Sequence, residues 1–268
     1  MRGRVLIIAG SDSGGGAGIQ ADIKTVTALD AFAMTAITAL TAQNTEGVHE
    51  VMGVPEDFIE TQMRVVLEDI GADALKTGML HTAGVIERVT AAIDRLAPEV
   101  PLVADPVMVA KGGHRLLDED AVASLQEKLV PRARVLTPNI PEAEVLCGAS
   151  IRDADDMEQA ARHLFGMGAG AVLLKGGHGE GEVLTDVLIT DDGIERFEDA
   201  RLVTRHTHGT GCTLASAIAA GLAQHFSVRE SVARARRFVR LAMEHAPGYG
   251  HGHGPLDHAV TVDLSKLG

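Results

Sequence analysis

The sequence Gly209-Thr210-Gly211-Cys212-Thr213 stands directly ahead of a strongly helix-forming run, Leu214-Ala215-Ser216-Ala217-Ile218-Ala219-Ala220. Backbone N–H groups at a helix start lack intrahelical partners and carry the positive end of the dipole. Glycines let a phosphate approach those amides, and Thr210 and Thr213 can add hydroxyl donors. The plain alternative is a helix cap with glycine for tight packing. We favour an anion hole, because the chain has no Gly-x-x-x-x-Gly-Lys-[Ser/Thr] motif to bind phosphate by another route. Cys212 falls in the first helical turn, where the dipole is expected to depress a thiol pKa. A small buried hydrophobe is its other reading, and the only one for Cys147.

Further polar residues fall where apolar runs end. Lys175 closes one run and precedes Gly176-Gly177-His178; it can neutralise a phosphate or simply reach solvent. Asp105-Pro106 ends another run, and Asn139 and Glu142 flank the next turn. Such oxygen donors suit Mg²⁺ held partly through water, although each could be a helix cap, Asn139 above all. A first glycine cluster, Gly10 to Gly18, follows the first apolar run, and Gly16-x-Gly18-x-x-Ala21 fits a loose dinucleotide fingerprint. The acid that should confirm it is missing after Thr41-Ala42-Gln43-Asn44, with only Glu46 nearby. A generic ligand loop is the better reading. The pairs His206/His208 and His251/His253 lie in glycine-rich loops without helical metal-ligand spacing, and are read as solvent or supporting groups.

The elements that must position these residues alternate in type. Strands are expected at Arg4–Ala9, Ala36–Ala42, Ala74–Gly78, Leu102–Asp105, Val135–Thr137, Ala171–Leu174 and Val183–Thr190. Helices are expected near 17–31, 55–70, 82–97, 118–129, 141–147, 154–167, 211–225 and 227–245. Pro55 with Glu56-Asp57 marks one helix start, and Phe58, Ile59, Met63, Val66, Leu67 and Ile70 recur at helical spacing. This alternation predicts an α/β fold, a largely parallel sheet covered by helices on both faces. Val183 to Phe197, with Asp191-Asp192-Gly193 inside, reads as a hairpin and the one antiparallel element. Ligands of such sheets bind beyond the carboxyl ends of the strands, where these glycines cluster. No linker or repeat interrupts the pattern, so 1–268 is expected to be one domain. The Gly/His-rich stretch Gly248–Gly254 reads as a loop.

Composition narrows the classes. The 268 residues carry 24 basic and 37 acidic side chains, a formal charge of −13. That balance disfavours nucleic acid and anionic membranes as partners. Six Phe, one Tyr and no Trp leave no base-stacking platform. Two cysteines make no disulfide framework, and no apolar run approaches a membrane span or a signal peptide. A cytoplasmic protein is expected.

Taken together, these stretches resemble the hydroxymethylpyrimidine/phosphomethylpyrimidine kinases of thiamine biosynthesis, members of the ribokinase-like superfamily. The resemblance runs through Ala9 to Asp22, Thr41-Ala42-Gln43-Asn44-Thr45, Lys76-Thr77-Gly78-Met79, Asp105-Pro106-Val107-Met108, Thr137-Pro138-Asn139 with Glu142, Lys175-Gly176-Gly177, His208 to Thr213 and Gly252-His253-Gly254-Pro255. It implies a three-layer ribokinase-like fold, a homodimer, and two phosphoryl transfers from Mg-ATP, first to 4-amino-5-hydroxymethyl-2-methylpyrimidine and then to its monophosphate. It assigns Gln43 to the pyrimidine, whose ring nitrogen and amine an amide can pair, with Gly10, Asp12, Asp22, Met79 and Val107 in the same pocket. Gly209, Thr210, Gly211 and Cys212 would cradle the moving phosphate beside Lys175. Asp105, Asn139, Lys175 and Thr210 would serve the nucleotide, and Asn139, Glu142 and Asp105 the magnesium. Many relatives in the superfamily have an aspartate base where this chain has Cys212. Cys212 is therefore expected to help the first transfer, from a neutral alcohol, more than the second. The loop Lys111-Gly112-Gly113-His114 and the glycine-rich tail are candidates to close over substrate. A pyridoxal-type vitamin kinase, an NAD-dependent oxidoreductase and a noncatalytic pyrimidine-binding protein are the competing readings.

Overall fold

The computed structural model describes residues 2–110, 113–118, 120–177 and 181–267. Its strands are β1 (Arg4–Asp12), β2 (Phe32–Gln43), β3 (Val48–Gly53), β4 (Ala74–Thr77), β5 (Leu102–Ala104), β6 (Val135–Leu136), β7 (Val172–Leu174), β8 (Val183–Thr190) and β9 (Gly193–Ala200). They form one sheet in the order β3-β2-β1-β4-β5-β6-β7-β8-β9. The run from β2 through β7 is parallel. Both margins are antiparallel: β8 and β9 form the expected hairpin, β7 pairs antiparallel with β8, and β3 turns back along β2. The expectation of one antiparallel element is thus corrected. β3 escapes a sequence reading because its residues, Val48-His49-Glu50-Val51-Met52-Gly53, are all partly or fully exposed and show no apolar alternation.

The helices are α1 (Gly18–Ala28), α2 (Glu56–Asp69), α3 (Ala83–Leu96), α4 (Ala121–Ser124), α5 (Ile140–Cys147), α6 (Ala154–Gly166), α7 (Thr210–Ala223) and α8 (Val228–Glu244). α4 runs into a π-helical turn over Leu125–Leu129, so the helix expected over 118–129 is shorter and wider than a regular one. α2 starts after Pro55 and buries Ile59 and Met63. Phe58, expected on its buried face, is 59% exposed.

Successive residues of β1 divide between two cores. Leu6 and Ile8 join the cluster with Ile59, Ile86, Ile93, Leu146 and Leu164, while Val5, Ile7 and Ala9 join Val26, Ile218, Val232 and Phe238. α2 to α6 therefore cover one face, and α1, α7 and α8 the other. Alternate side chains of a strand point to opposite faces, so a strand covered on both is apolar throughout. The same geometry puts Lys76, two residues after Ala74 on β4, on the α1/α7 side.

Candidate active site

α7 begins after Gly209, which adopts a left-handed conformation (φ 82°, ψ 8°). A Cβ there would collide with the carbonyl oxygen of Gly16, so the turn requires glycine. Thr213 N–H donates to Gly209 O at 2.9 Å, and Thr210 N–H lies 3.4 Å from Thr207 O. Thr210 Oγ1 donates to that same carbonyl at 3.2 Å. Among the described residues, none accepts from the amides of Gly211 or Cys212. A Cβ on Gly211 would lie 3.3 Å from Lys175 Nζ and 3.7 Å from Asp105 Oδ2. The two free amides thus stand at the start of a 14-residue helix beside a lysine. Lys175 donates to Asp105 Oδ1 at 2.9 Å, and Thr137 Oγ1 to the same oxygen at 3.1 Å. Burial works against the Lys175 ammonium, but Asp105 and Glu142 outweigh it and raise its pKa. Gly209, Thr210, Gly211, Cys212, Lys175 and Asp105 are accordingly brought together.

The first glycine cluster behaves differently, because its donors are already engaged. The carboxylate of Asp12, 2% exposed, accepts from Gly14 N at 2.8 Å, Gly16 N at 3.1 Å and Ala17 N at 2.8 Å. His208 Nε2 lies 2.9 Å from the same carboxylate. Burial alone would raise the Asp12 pKa, but His208 and the amides of Ala17 and Gly14 hold it below the ordinary value. An internal anion therefore fills this loop. Of the two glycine loops, the one at α7 is left with free donors for an external phosphate. His208, 6% exposed, is an integral part of the loop rather than a solvent group; His251 and His253 are exposed.

Two expectations need correction. The Cys212 thiol is not activated: burial pushes it up to about 12, with Asp22 and Asp105 adding to the rise. Lys76 and the Gly18 amide oppose that shift without reversing it. Desolvation of the thiolate exceeds the favourable dipole. Asp22, expected in the pyrimidine pocket, has no exposed surface and is bonded to Lys76 at 2.8 Å and Ser216 at 2.7 Å. It stands behind the phosphate turn. The signal for this pair was available in Lys76, a charge inside the buried strand Ala74–Thr77, which requires an acid nearby.

Gly10 packs against Met79. Met79 clusters with Ala39 and Leu116, and Val107, Val48, Val51 and Ala110 pack around them. Gly10, Met79 and Val107 are thereby gathered into one apolar wall. Gln43, which pairs with Val48 across the β2–β3 turn, accepts from Thr41 Oγ1 at 3.1 Å, and its Nε2 lies 3.4 Å from His208 Nε2. If the His208 Nε2 proton is directed to Asp12, that nitrogen has no lone pair for Gln43, whose amide donors stay available.

Asn139 caps α5. Its Oδ1 accepts from Glu142 N at 2.9 Å, and its own N–H donates to Glu142 Oε2 at 2.8 Å, a reciprocal capping box. The Asn139 side-chain oxygen is thus used locally. Glu142 is 6% exposed, and burial together with Asp105 pushes its pKa up to about 7 against the pull of Lys175 and the amides of Asn139 and Met108. Among the described residues, no three His, Cys, Asp or Glu side chains converge as a metal cage. The pair Asp105 and Glu142 still fits Mg²⁺, which takes few carboxylates and keeps several waters. Lys111, Gly112 and His178 lie outside the described residues. The glycine-rich tail is tied down at His253 N to Thr45 O (2.8 Å) and His208 N to Gly254 O (3.2 Å).

Comparison with known proteins agrees with this geometry. The model of the phosphomethylpyrimidine kinase family matches residues 12–257. The hydroxymethylpyrimidine/phosphomethylpyrimidine kinase of Bacillus subtilis is 48% identical over 256 residues, covering 95% of this chain and 94% of that one. A thiamine biosynthesis bifunctional protein ThiED from Geobacter sulfurreducens is 50% identical over 98% of this chain, which spans about half, 53%, of its length. The solved pyridoxal kinase of Bacillus subtilis in an ADP complex superposes with a TM-score of 0.90 at 37% identity, covering 97% of this chain and 98% of that one. The fold is the ribokinase-like one expected. By sequence over nearly its whole length, and by the arrangement of its strands and glycine turns, the chain belongs to the phosphomethylpyrimidine kinase family.

Proposed function

We propose that the protein is an ATP-dependent kinase that phosphorylates 4-amino-5-hydroxymethyl-2-methylpyrimidine and then its monophosphate, in thiamine biosynthesis. The observation that carries this reading is the pair of unpartnered amides at Gly211 and Cys212 at a helix start beside Lys175. Family membership supplies the substrate class. Phosphoryl transfer passes through a loose transition state, so positioning and charge neutralisation do most of the work. The two amides and the α7 dipole would hold the equatorial oxygens of the moving group, with Lys175 as the adjacent cation. Gln43 would orient the pyrimidine against the wall of Gly10, Met79 and Val107, placing its hydroxymethyl toward the turn. Asp12 shapes that pocket indirectly, through its loop and His208.

Mg²⁺, when bound, would neutralise phosphate oxygens of ATP. Asp105 and Glu142 would hold it, partly through water, while Asn139 fixes the Glu142 backbone. In the second transfer the nucleophile is a phosphate, anionic near neutral pH, so a base is dispensable. The reading includes a cytoplasmic homodimer; among the described residues no helix is long and apolar enough to cross a membrane.

ADP release on mixing the protein, Mg-ATP and the pyrimidine tests the reading, with monophosphate and diphosphate expected in succession. No ADP release on adding the pyrimidine would leave only a binding role. The likeness to a pyridoxal kinase favours pyridoxal as the second substrate class. Turnover of pyridoxal in preference to the pyrimidine would exchange the two readings.

A further inference from the structure

α7, which starts at the phosphate turn, packs beside α1, which starts at the first glycine loop, and the two are held together at two levels. At the level of the turn, Gly209 seats so closely on Gly16 and Ala17, just ahead of α1, that a Cβ on it would collide with the Gly16 carbonyl oxygen. Further along the pair, Ser216 Oγ of α7 donates to Asp22 Oδ1 of α1 at 2.7 Å. Gly209 and Ser216 are about two helical turns apart and share a helix face, so the two contacts join the same sides of the two helices. Lys76 Nζ, from β4, donates to Asp22 Oδ1 at 3.0 Å and Oδ2 at 2.8 Å. Asp22, Lys76 and Ser216 have no exposed surface.

A buried ion pair of this kind is a poor source of stability, since apolar replacements of similar volume are often neutral or stabilising. What it fixes is geometry. The apolar packing of α7 is non-directional; the Ser216–Asp22 hydrogen bond, held from the sheet by Lys76, adds a directional contact that sets its separation from α1 and its rotation. The amides of Gly211 and Cys212 turn with the helix that carries them.

Resting on the kinase reading above, we infer that Lys76, Asp22 and Ser216 are positioning residues for the phosphate turn. They aim the Gly211 and Cys212 amides without touching substrate. Displacing catalytic groups by about 1 Å can lower rate about 10²-fold, which sets the scale of the effect.

Three variants of the full chain test this: Ser216→Ala, which removes the polar contact between the helices; Ser216→Thr, which keeps a hydroxyl; and Asp22→Leu with Lys76→Met, which removes both charges together. Two readouts are taken. The first is kcat and KM for ATP and the pyrimidine. The second needs no substrate: the rate at which N-ethylmaleimide alkylates Cys212, with Cys147 as internal reference. Ser216→Ala is expected to lower kcat about tenfold and the double variant about 10²-fold. KM should change less than about threefold in each, because the binding groups remain. Cys212 alkylation should quicken about fivefold as the turn loosens, and Ser216→Thr should restore most of both. Wild-type kcat, a loss confined to KM, or an unchanged alkylation rate in Ser216→Ala would overturn the inference. A wild-type chain that does not phosphorylate the pyrimidine would instead remove the kinase reading, and the alkylation comparison would still decide the positioning role. If the double variant fails to fold, Ser216→Ala decides.

Discussion

A thiol pushed up to about 12 by burial is protonated across the physiological range and cannot serve as a ready base. Cys212 is better placed as part of the wall that carries its own backbone amide. Cys212→Ala should therefore slow both phosphoryl transfers by a similar factor, about tenfold or less, since the loose transition state leaves little for a base to do. Single-turnover rates on the alcohol and on the monophosphate check this, and a much larger loss on the alcohol would restore a base role. Glu142 makes the opposite kind of prediction, because its pKa of about 7 lies inside the working range. A raised carboxyl pKa means that the folded chain holds the proton more tightly than the unfolded one. The stability this contributes is full below the ordinary glutamate pKa and is lost as pH rises through about 7. A divalent cation competes with that proton, so apparent Mg²⁺ affinity should rise up to about tenfold per pH unit below 7 and level off above it. Glu142→Gln should abolish this dependence while keeping α5 capped, since glutamine can still reach the Asn139 amide. Magnesium titrations of activity at several pH values decide it; an affinity flat with pH would remove Glu142 from the metal site.

Among the elements, the C-terminal segment has the clearest consequence for stability. His258, 6% exposed, lies 2.9 Å from Thr213 Oγ1 in the first turn of α7. Burial, helped by Lys24, pushes its pKa down to about 4 against Asp257 and Leu256. Its folded pKa lies below the unfolded value, so its contribution is present above the ordinary histidine range and lost as pH falls toward 4. Thermal melts should show Tm dropping by about 4 °C or more between pH 7 and 5, and His258→Phe should blunt that drop; an equal drop in both proteins would rule out His258 as its cause. None of this could be read from the sequence, where residues 248–254 suggested only a loop and His258 had no sequence-local partner. The parallel strands were legible because apolar runs such as Val5–Ala9 need cover on both faces, and the α7 start because Gly-Thr-Gly precedes an alanine-rich run. β3 was not, since only Val48 and Val51 are partly buried and they do not alternate with polar residues. The free amides of the second glycine loop could be anticipated, whereas the filling of the first by Asp12 depends on a carboxylate folding back on its own turn, beside a histidine 196 residues away. The raised Cys212 pKa was missed for a related reason: helix position is visible in a sequence and desolvation is not.

Across the whole molecule, a formal charge of −13 means that an incoming triphosphate meets no attractive overall field and must be held by local donors. The α7 start, Lys175 and a bound cation would provide that locally, at the carboxyl ends of strands that share one sheet. We propose that residues 1–268 fold as one domain, and calorimetry should then show one cooperative transition; two resolved transitions would contradict it. The central claim is that the Gly211 and Cys212 amides collect the charge of the moving phosphoryl group. A crystal structure of the complex with ADP, Mg²⁺, the pyrimidine and an aluminium fluoride mimic of that group tests it most directly. The account predicts fluorides within hydrogen-bond distance of both amides and of Lys175 Nζ. A mimic bound elsewhere, with both amides facing only solvent, would contradict it.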